Sequence, residues 1–181
     1  SINDWMNIYN DTLRRDIFKR SDQVFKNFNP YKIEISKNIK EIQQEFGDFY
    51  IPKIITINNG IDYNYNIVKS DSLLLVSTDC YLGDNIHYKS IPNYISMKMN
   101  VDYFVKDITE SFLLDFIKYP VDRRFISKII YHGKLIYSMN KITDFNLEQL
   151  IGISQENLNW LTENEDEICL LYTSDAADER L

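Results

Sequence analysis

The chain has very few of the residues from which disulfides and metal sites are built. Its 181 residues include two cysteines, Cys80 and Cys169, and two histidines, His87 and His132. The histidines are far apart in sequence, so the H-E-x-x-H helix motif of zinc peptidases is absent. Cys169 lies in a C-terminal tail that is expected to be non-native, and Cys80 alone can form neither an intrachain disulfide nor a cysteine-based zinc cluster. The composition predicts no disulfide and no metal site.

Glycine is also scarce, with five residues in the whole chain. The glycines are scattered, and none forms the G-x-G-x-x-G pattern with which a loop approaches the phosphates of a dinucleotide. We therefore expect no phosphate-binding loop and no cofactor.

Alanine occurs only at Ala176 and Ala177. Both residues belong to the tail Cys169–Leu181, which begins CLLYTSDAADE. This string resembles one translated frame of the transposase adapter used in DNA sequencing libraries, and added segments are excluded before a fold is inferred. We expect a single native domain over residues 1–168 and a non-native translation over residues 169–181.

The start of the chain shows no initiating methionine, no charged region and no apolar run of the kind that forms a signal peptide. No stretch is long and apolar enough to suggest a transmembrane helix. We expect the chain to be a piece of a longer protein, truncated at both ends.

The formal net charge is −7 at pH 7. Basic pairs such as Arg14-Arg15 and Arg123-Arg124 lie beside aspartates, which is typical of solvated helix faces. Binding to nucleic acid requires clustered positive charge, so nucleic acid is not an expected partner.

Hydrophobic periodicity predicts helices on both sides of a short run of strands. The predicted helices cover residues 5–28, 31–46, 94–99, 101–117, 122–139 and 154–168. Asn10 or Asp11 and Ser154 are candidate N-caps. Strands are predicted over residues 54–57, 65–68 and 73–76, separated by turn residues.

Three strands in close succession predict a small antiparallel sheet, with the apolar third strand in its centre. The helix over residues 122–139 has a long apolar stripe and is predicted to be the most buried. The stripe consists of Phe125, Ile126, Ile129, Ile130, Gly133, Ile136 and Tyr137. The predicted fold class is α+β, a mostly helical single domain packed on a small antiparallel three-stranded sheet.

The most distinctive pattern lies in Ser70–Met99. Its apolar strand is followed by Tyr81-Leu82-Gly83 and then by Tyr88-Lys89-Ser90-Ile91-Pro92-Asn93-Tyr94. Together with Phe46-Gly47-Asp48-Phe49 and Ile129-Ile130-Tyr131 at matching spacing, these motifs resemble the GldB family of gliding motility lipoproteins. The resemblance covers nearly all of Ile2–Ile168. It departs at His132, where the family more often has tyrosine, and at Cys80, where it usually has a larger apolar residue.

The resemblance implies a non-catalytic lipoprotein of the Bacteroidetes cell envelope that faces the periplasm. A lipid attached upstream of Ser1 would anchor it to a membrane, and its partners would be protein components of the gliding and type IX secretion machinery. Two alternatives stay open at this point. One is a metal-dependent hydrolase with a degenerate zinc-peptidase-like domain, and the other is a cytoplasmic enzyme with an unrecognised site.

Four polar residues in this segment could be interpreted as catalytic. Asp79 and Asp84 flank Tyr81-Leu82-Gly83 and could act as paired carboxylates in acid–base catalysis. Thr78 and Cys80 could be nucleophiles, although no histidine or lysine base lies at a recognised spacing. An aspartate at the end of a strand more commonly caps backbone N–H groups, and we favour that interpretation.

The candidate interaction residues all belong to the family motif: Tyr81, Leu82, Gly83, Tyr88, Pro92 and Tyr94. Aromatic side chains are common in interface hot spots, so the three tyrosines could line a recognition groove. We favour the alternative, in which they pack in the core with their hydroxyl groups near the surface. Replacing Gly83 or Pro92 is expected to damage folding, and replacing Tyr88 or Tyr94 is expected to affect binding.

Overall fold

The computed structural model describes residues 6, 9–83, 86–122 and 124–168. Its helices are α1 (Thr12–Val24), α2 (Asn29–Phe46), α3 (Asn93–Ser96), α4 (Val101–Leu113), α5 (Phe125–Ile142), α6 (Leu147–Ile151) and α7 (Gln155–Glu163). Its strands are β1 (Lys53–Ile57), β2 (Ile67–Lys69) and β3 (Leu73–Ser77), with short 3₁₀ turns at Tyr63–Tyr65 and Thr78–Tyr81. The predicted α+β class is confirmed. The predicted adapter-derived tail lies outside the described residues.

Several helix ends follow from local side-chain chemistry. Asp11 Oδ1 accepts the N–H groups of Leu13 and Arg14 at 3.0 and 3.2 Å, as predicted for an N-cap. Ser154 caps α7 by accepting the N–H of Asn157 at 3.3 Å. Helix α2 ends at Gly47, whose φ of 90° is rarely adopted by residues that carry a Cβ atom.

The sheet is mixed, so the predicted purely antiparallel arrangement is wrong. The strand order is β1-β3-β2, with β1 parallel and β2 antiparallel to β3. The apolar strand β3 is central, as predicted. In this position its apolar side chains are better shielded from solvent than they would be at an edge of the sheet. Since the three strands alternate in direction along the chain, placing the third strand beside the first makes that pair parallel.

The core is centred on α4 rather than on α5. Helix α4 buries Phe104, Val105, Ile108, Thr109, Phe112 and Leu113. The fully buried ring of Phe104 lies 4.8 Å from Phe25, 5.5 Å from Tyr31 and 5.4 Å from Tyr81, measured between ring centroids. One helix thus joins α1, α2 and the turn after β3 through aromatic contacts.

The prediction that the 122–139 helix is the most buried is wrong. In α5 only Leu135, Met139 and Ile142 are buried. Most of the predicted stripe is solvent-exposed, namely Phe125, Ile126, Ile129, Ile130, Gly133 and Tyr137, and Ile136 is half-buried. Helical periodicity identifies an apolar face, but whether another layer covers that face depends on where the helix lies in the fold.

A helix that crosses a bilayer must be long and almost uniformly apolar. None of the helices in the described part of the chain meets both conditions.

Replacing Phe104 with alanine should lower the free energy of unfolding by about 3–5 kcal/mol, because the change leaves a cavity among four aromatic rings. The matched control is Ile126→Ala on α5, whose side chain is 54% exposed. It should change the free energy of unfolding by no more than about 0.5 kcal/mol. Urea denaturation followed by circular dichroism measures both values. A larger loss of unfolding free energy in Ile126→Ala than in Phe104→Ala would indicate that α5 is the more buried helix.

Candidate functional site

Asp79 lies in the 3₁₀ turn that follows the central strand, and its side chain is completely buried. Its carboxyl oxygens accept three backbone N–H groups from the loop after β1, those of Asn59 at 3.3 Å, Gly60 at 2.8 Å and Ile61 at 2.9 Å. The preferred interpretation of Asp79 as a cap for backbone donors is therefore confirmed. Asp84, the other member of the predicted carboxylate pair, lies outside the described residues.

The loop held by Asp79 has an uncommon backbone conformation. Gly60 and Ile61 have φ values of 84° and 62°, and positive φ is sterically unfavourable for a β-branched residue such as isoleucine. The N–H groups of both residues point to Asp79 Oδ2. Conformations of this kind persist only where surrounding contacts determine them, and here the aspartate provides these contacts.

Tyr88 connects the same turn to the segment that follows it. The phenol is 3% exposed, and its oxygen donates to the carbonyl of Asp79 at 2.7 Å and accepts the N–H of Leu82 at 2.9 Å. Tyr88 therefore satisfies two buried backbone groups and fixes Tyr81-Leu82-Gly83 against residues 86–90.

Tyr81 points in another direction, into a polar network with Asn66 and Asp107. The Asn66 amide donates to the Tyr81 hydroxyl at 2.9 Å, and that hydroxyl donates to Asp107 Oδ2 at 2.9 Å. Burial, with the Asp107 charge beside it, raises the pKa of the Tyr81 phenol above its usual value. The network joins α4 to the residue before β2 and to the turn after β3.

The other predicted interaction residues differ in exposure. Leu82 is buried in the core, whereas Gly83, Pro92 and Tyr94 are exposed. Gly83 has a φ of 63° and donates its N–H to the Met99 carbonyl at 2.9 Å, so a residue with a Cβ atom would be strained there. Tyr94 on α3 is 73% exposed. The structure thus separates the motif into a buried part, Tyr81, Leu82 and Tyr88, and an exposed part.

A cleft of about 1270 Å³ opens beside the Tyr81 network, between β2, α4 and residues 49–52. Four carboxylates line it, those of Asp71, Asp107, Glu110 and Asp115. Lys69 also lines the cleft, pairs with Asp115 and donates to the carbonyl of Ser111 at 3.1 Å. The cleft is therefore predominantly acidic.

Asp107 is a carboxyl group in this cleft whose pKa is raised. Burial raises its pKa to about 6, although the Lys106 ammonium and the Tyr81 hydrogen bond oppose that rise. A carboxyl group with a raised pKa in a cleft is a pattern seen at acid–base sites. Here its oxygens face protein partners, Tyr81 and Asn66 on one side and Lys106 at 3.6 Å on the other. This arrangement fastens α4 to the sheet.

The side chains of the predicted nucleophiles Thr78 and Cys80 are buried. The thiol of Cys80 is buried, and burial, with the charges of Asp79 and Asp62, raises its pKa above its usual value. The Thr78 hydroxyl donates to Asn58 Oδ1 at 2.8 Å. A thiol reacts as its thiolate, so a raised pKa makes Cys80 a weak nucleophile.

The two histidines have separate surroundings. His87 Nε2 lies 3.1 Å from Asp16 Oδ2, and the ring of His132 packs at 5.0 Å from the ring of Tyr131. Within the described residues there is no group of three or more His, Cys, Asp or Glu side chains placed to hold a metal ion.

Sequence reasoning did not identify Asp107 or Asn66. Asp107 precedes the buried Ile108 on an amphipathic helix, where a charged residue ordinarily faces solvent. Asn66 stands in a region predicted as strand, with no motif around it. Their contact can be predicted only if it is known that α4 packs against β2.

Replacing Tyr88 with phenylalanine should lower the free energy of unfolding by about 1–3 kcal/mol, because the Asp79 carbonyl and the Leu82 N–H lose their partner in a buried site. Tyr94→Phe is the matched control, since it removes the same hydroxyl from an exposed ring and should leave stability unchanged. Chemical denaturation of both variants measures the difference, and equal stabilities would show that the two hydrogen bonds of the Tyr88 hydroxyl do not stabilise the fold.

Replacing Asp107 with asparagine should change how stability depends on pH. The pKa of this carboxyl group is raised to about 6 from its ordinary value of 3.8, so the folded state binds more protons than the unfolded state between these pH values. Wild-type stability should therefore fall as the pH rises from about 4 to about 6, by about 3 kcal/mol from this group.

The asparagine variant lacks this titration, so its stability relative to wild type should increase over the same pH range. Denaturation curves at several pH values test this expectation. A difference between the two proteins that stays constant from pH 4 to pH 7 would contradict the raised pKa.

Comparison with known proteins identifies one family. Searches of curated proteins and of solved structures find no match to this chain. The family model described as gliding motility protein GldB matches residues 1–174 of the 181. This match confirms the resemblance to the GldB family that the motifs in Ser70–Met99 indicated. The chain belongs to the GldB family of gliding motility lipoproteins.

Proposed function

We propose that this chain is a non-catalytic domain of the cell envelope that supports gliding motility through contacts with other proteins. In this proposal it faces the periplasm of a bacterium of the Bacteroidetes, and a lipid upstream of Ser1 anchors it to a membrane. Its partners are components of the gliding and type IX secretion machinery. The family match over residues 1–174 is the observation that carries the proposal.

The use of the polar residues in Ser70–Met99 supports a role without catalysis. Asp79 holds a backbone loop, Tyr88 bridges two buried backbone groups, and the Cys80 thiol is buried with a raised pKa. Catalysis requires an acid, base or nucleophile that is free to react with a substrate. The Asp79 and Tyr88 side chains are instead bonded to the protein backbone, and the Cys80 thiol is buried.

The exposed motif residues Pro92 and Tyr94, together with the neighbouring Met97, support a role in contact. Tyr94 and Met97 are 73% and 74% exposed, and residues three apart lie on the same face of a helical segment. Pro92 precedes them at the start of α3 and is exposed as well. An aromatic ring and a flexible thioether presented together are typical of protein interfaces. We call Pro92, Tyr94 and Met97 the α3 patch.

Replacing Tyr94 and Met97 together with alanine should abolish or strongly reduce colony spreading when the full-length gene complements a deletion in a gliding host. The contact would be lost, while the protein level and thermal stability should stay at wild-type values because both side chains are exposed. Val121→Ala is the matched control, since that apolar side chain is fully exposed elsewhere in the chain. Wild-type spreading by the double variant would contradict a contact role for the α3 patch.

Metal analysis distinguishes this proposal from the metal-dependent hydrolase. Purified full-length protein should contain zinc far below one atom per chain after dialysis against metal-free buffer. Stoichiometric zinc would overturn the proposal as stated, whereas loss of spreading in the α3 patch variant would not by itself exclude a hydrolase.

A further inference from the structure

Strand β1 is an edge of the sheet, and no described segment pairs with its outer side. The register places Lys53 opposite Leu73, and the Lys53 N–H donates to the Ser72 carbonyl at 3.0 Å. In a parallel pair, alternate residues direct their N–H and C=O groups to the neighbouring strand. Lys53, Ile55 and Ile57 therefore bond to β3, whereas Ile54 and Thr56 direct their backbone groups to the open edge.

An apolar groove continues from this edge. Its volume is about 520 Å³, and it lies between β1 and the face of α2 that carries Ile35 and Ile39. Ile51 and Ile54 line its other side. Side chains alternate between the two faces of a strand, so Ile54 and Thr56 share the face that borders this groove. A further strand beside β1 would place every second side chain over Ile35 and Ile39.

The charges around the groove are positive, in a chain whose net charge is −7. Lys32 and Lys40 line the groove, and no carboxylate does. Neither ammonium group has an ion-pair partner within the described ranges. The opposite edge differs, because four carboxylates line the cleft beside β2.

We propose that the β1 edge and its groove bind an extended segment of a partner protein by adding it to the sheet as a fourth strand. The segment carries apolar, β-branched side chains at alternate positions, which enter the groove, and aspartate or glutamate at its ends, which face Lys32 and Lys40. Main-chain hydrogen bonds to Ile54 and Thr56 supply affinity, and the groove and the lysines supply specificity. This surface is separate from the α3 patch and does not depend on the motility role.

A designed peptide tests the site directly. The probe is a fluorescent seven-residue peptide with valine and isoleucine at alternate positions, threonine between them, and an acidic residue at each end. Binding to the full chain is measured by fluorescence anisotropy at low ionic strength. The same peptide with N-methylated amides on its hydrogen-bonding edge should bind at least tenfold more weakly, since it cannot pair with the strand. A version with lysine at both ends should bind about fivefold more weakly, because its charges oppose those of the groove.

Thr56→Pro is the decisive variant. It removes the one N–H group that faces the open edge at this position and keeps the hydrogen bonds to β3, and proline is tolerated at such edge positions. Peptide affinity should fall at least tenfold in Thr56→Pro and should be kept in Thr56→Val, which retains the N–H. Circular dichroism and thermal unfolding should show that both variants fold.

A charge swap separates strand addition from non-specific association. The double variant Lys32→Glu and Lys40→Glu changes two exposed side chains and should reverse the preference, so that the lysine-ended peptide binds better than the acidic one. Equal affinity of wild type and Thr56→Pro for the acidic peptide would overturn the proposal, as would an unchanged charge preference in the double variant.

Two observations on the protein alone would also overturn it. If hydrogen exchange shows strong protection of the Ile54 and Thr56 amides in the monomer, a segment of the same chain already occupies the edge. If sedimentation shows a dimer that Thr56→Pro dissociates, the occupant is a second copy. Rapid exchange of both amides, with protection only when the acidic peptide is present, is the result expected from the proposed site.

Discussion

The hydrogen bonds to the buried carboxyl group of Asp79 are the interaction on which the candidate site depends. A buried carboxylate is costly unless donors replace the water that it loses, and three consecutive backbone N–H groups serve that purpose here. The same bonds hold Gly60 and Ile61 at positive φ and so fix the path of the loop after β1. The end of β1 is thereby tied to the turn after β3, which is where the family motif begins.

Two tyrosines extend this connection in opposite directions. Tyr88 bonds to the backbone of Asp79 and Leu82, and Tyr81 bonds through Asp107 to α4. Since α4 carries Phe104 at the centre of the aromatic core, the motif is joined to the best-packed part of the domain. The motif residues that stay exposed are Gly83, Pro92 and Tyr94, and the last two belong to the α3 patch. The motif therefore contains both buried structural positions and exposed positions.

The two edges of the sheet have opposite electrostatic character. Beside β2 the cleft is lined by carboxylates, and one of them, Asp107, has a raised pKa because it is buried against α4. Beside β1 the groove is apolar and bordered by lysines. A ligand or segment of either charge would therefore be directed to one edge and away from the other, since opposite charges attract and like charges at close range repel. The strand order creates this asymmetry, because it places β1 and β2 on opposite sides of β3.

The amino-acid sequence by itself determined the local features, because capping, turn formation and strand propensity depend on near neighbours. These features include the caps at Asp11 and Ser154, the three strands, the central place of Leu73–Val76 and the role of Asp79. The motif around Tyr81 and Tyr88 was also sufficient to indicate the GldB family. Only the tertiary structure decided the direction of β1, the burial of α4 in place of α5, and the pairing of Asn66 with Tyr81 and Asp107. Each of these depends on which layer covers which face, and contacts between residues distant in sequence leave no periodic signal in the chain.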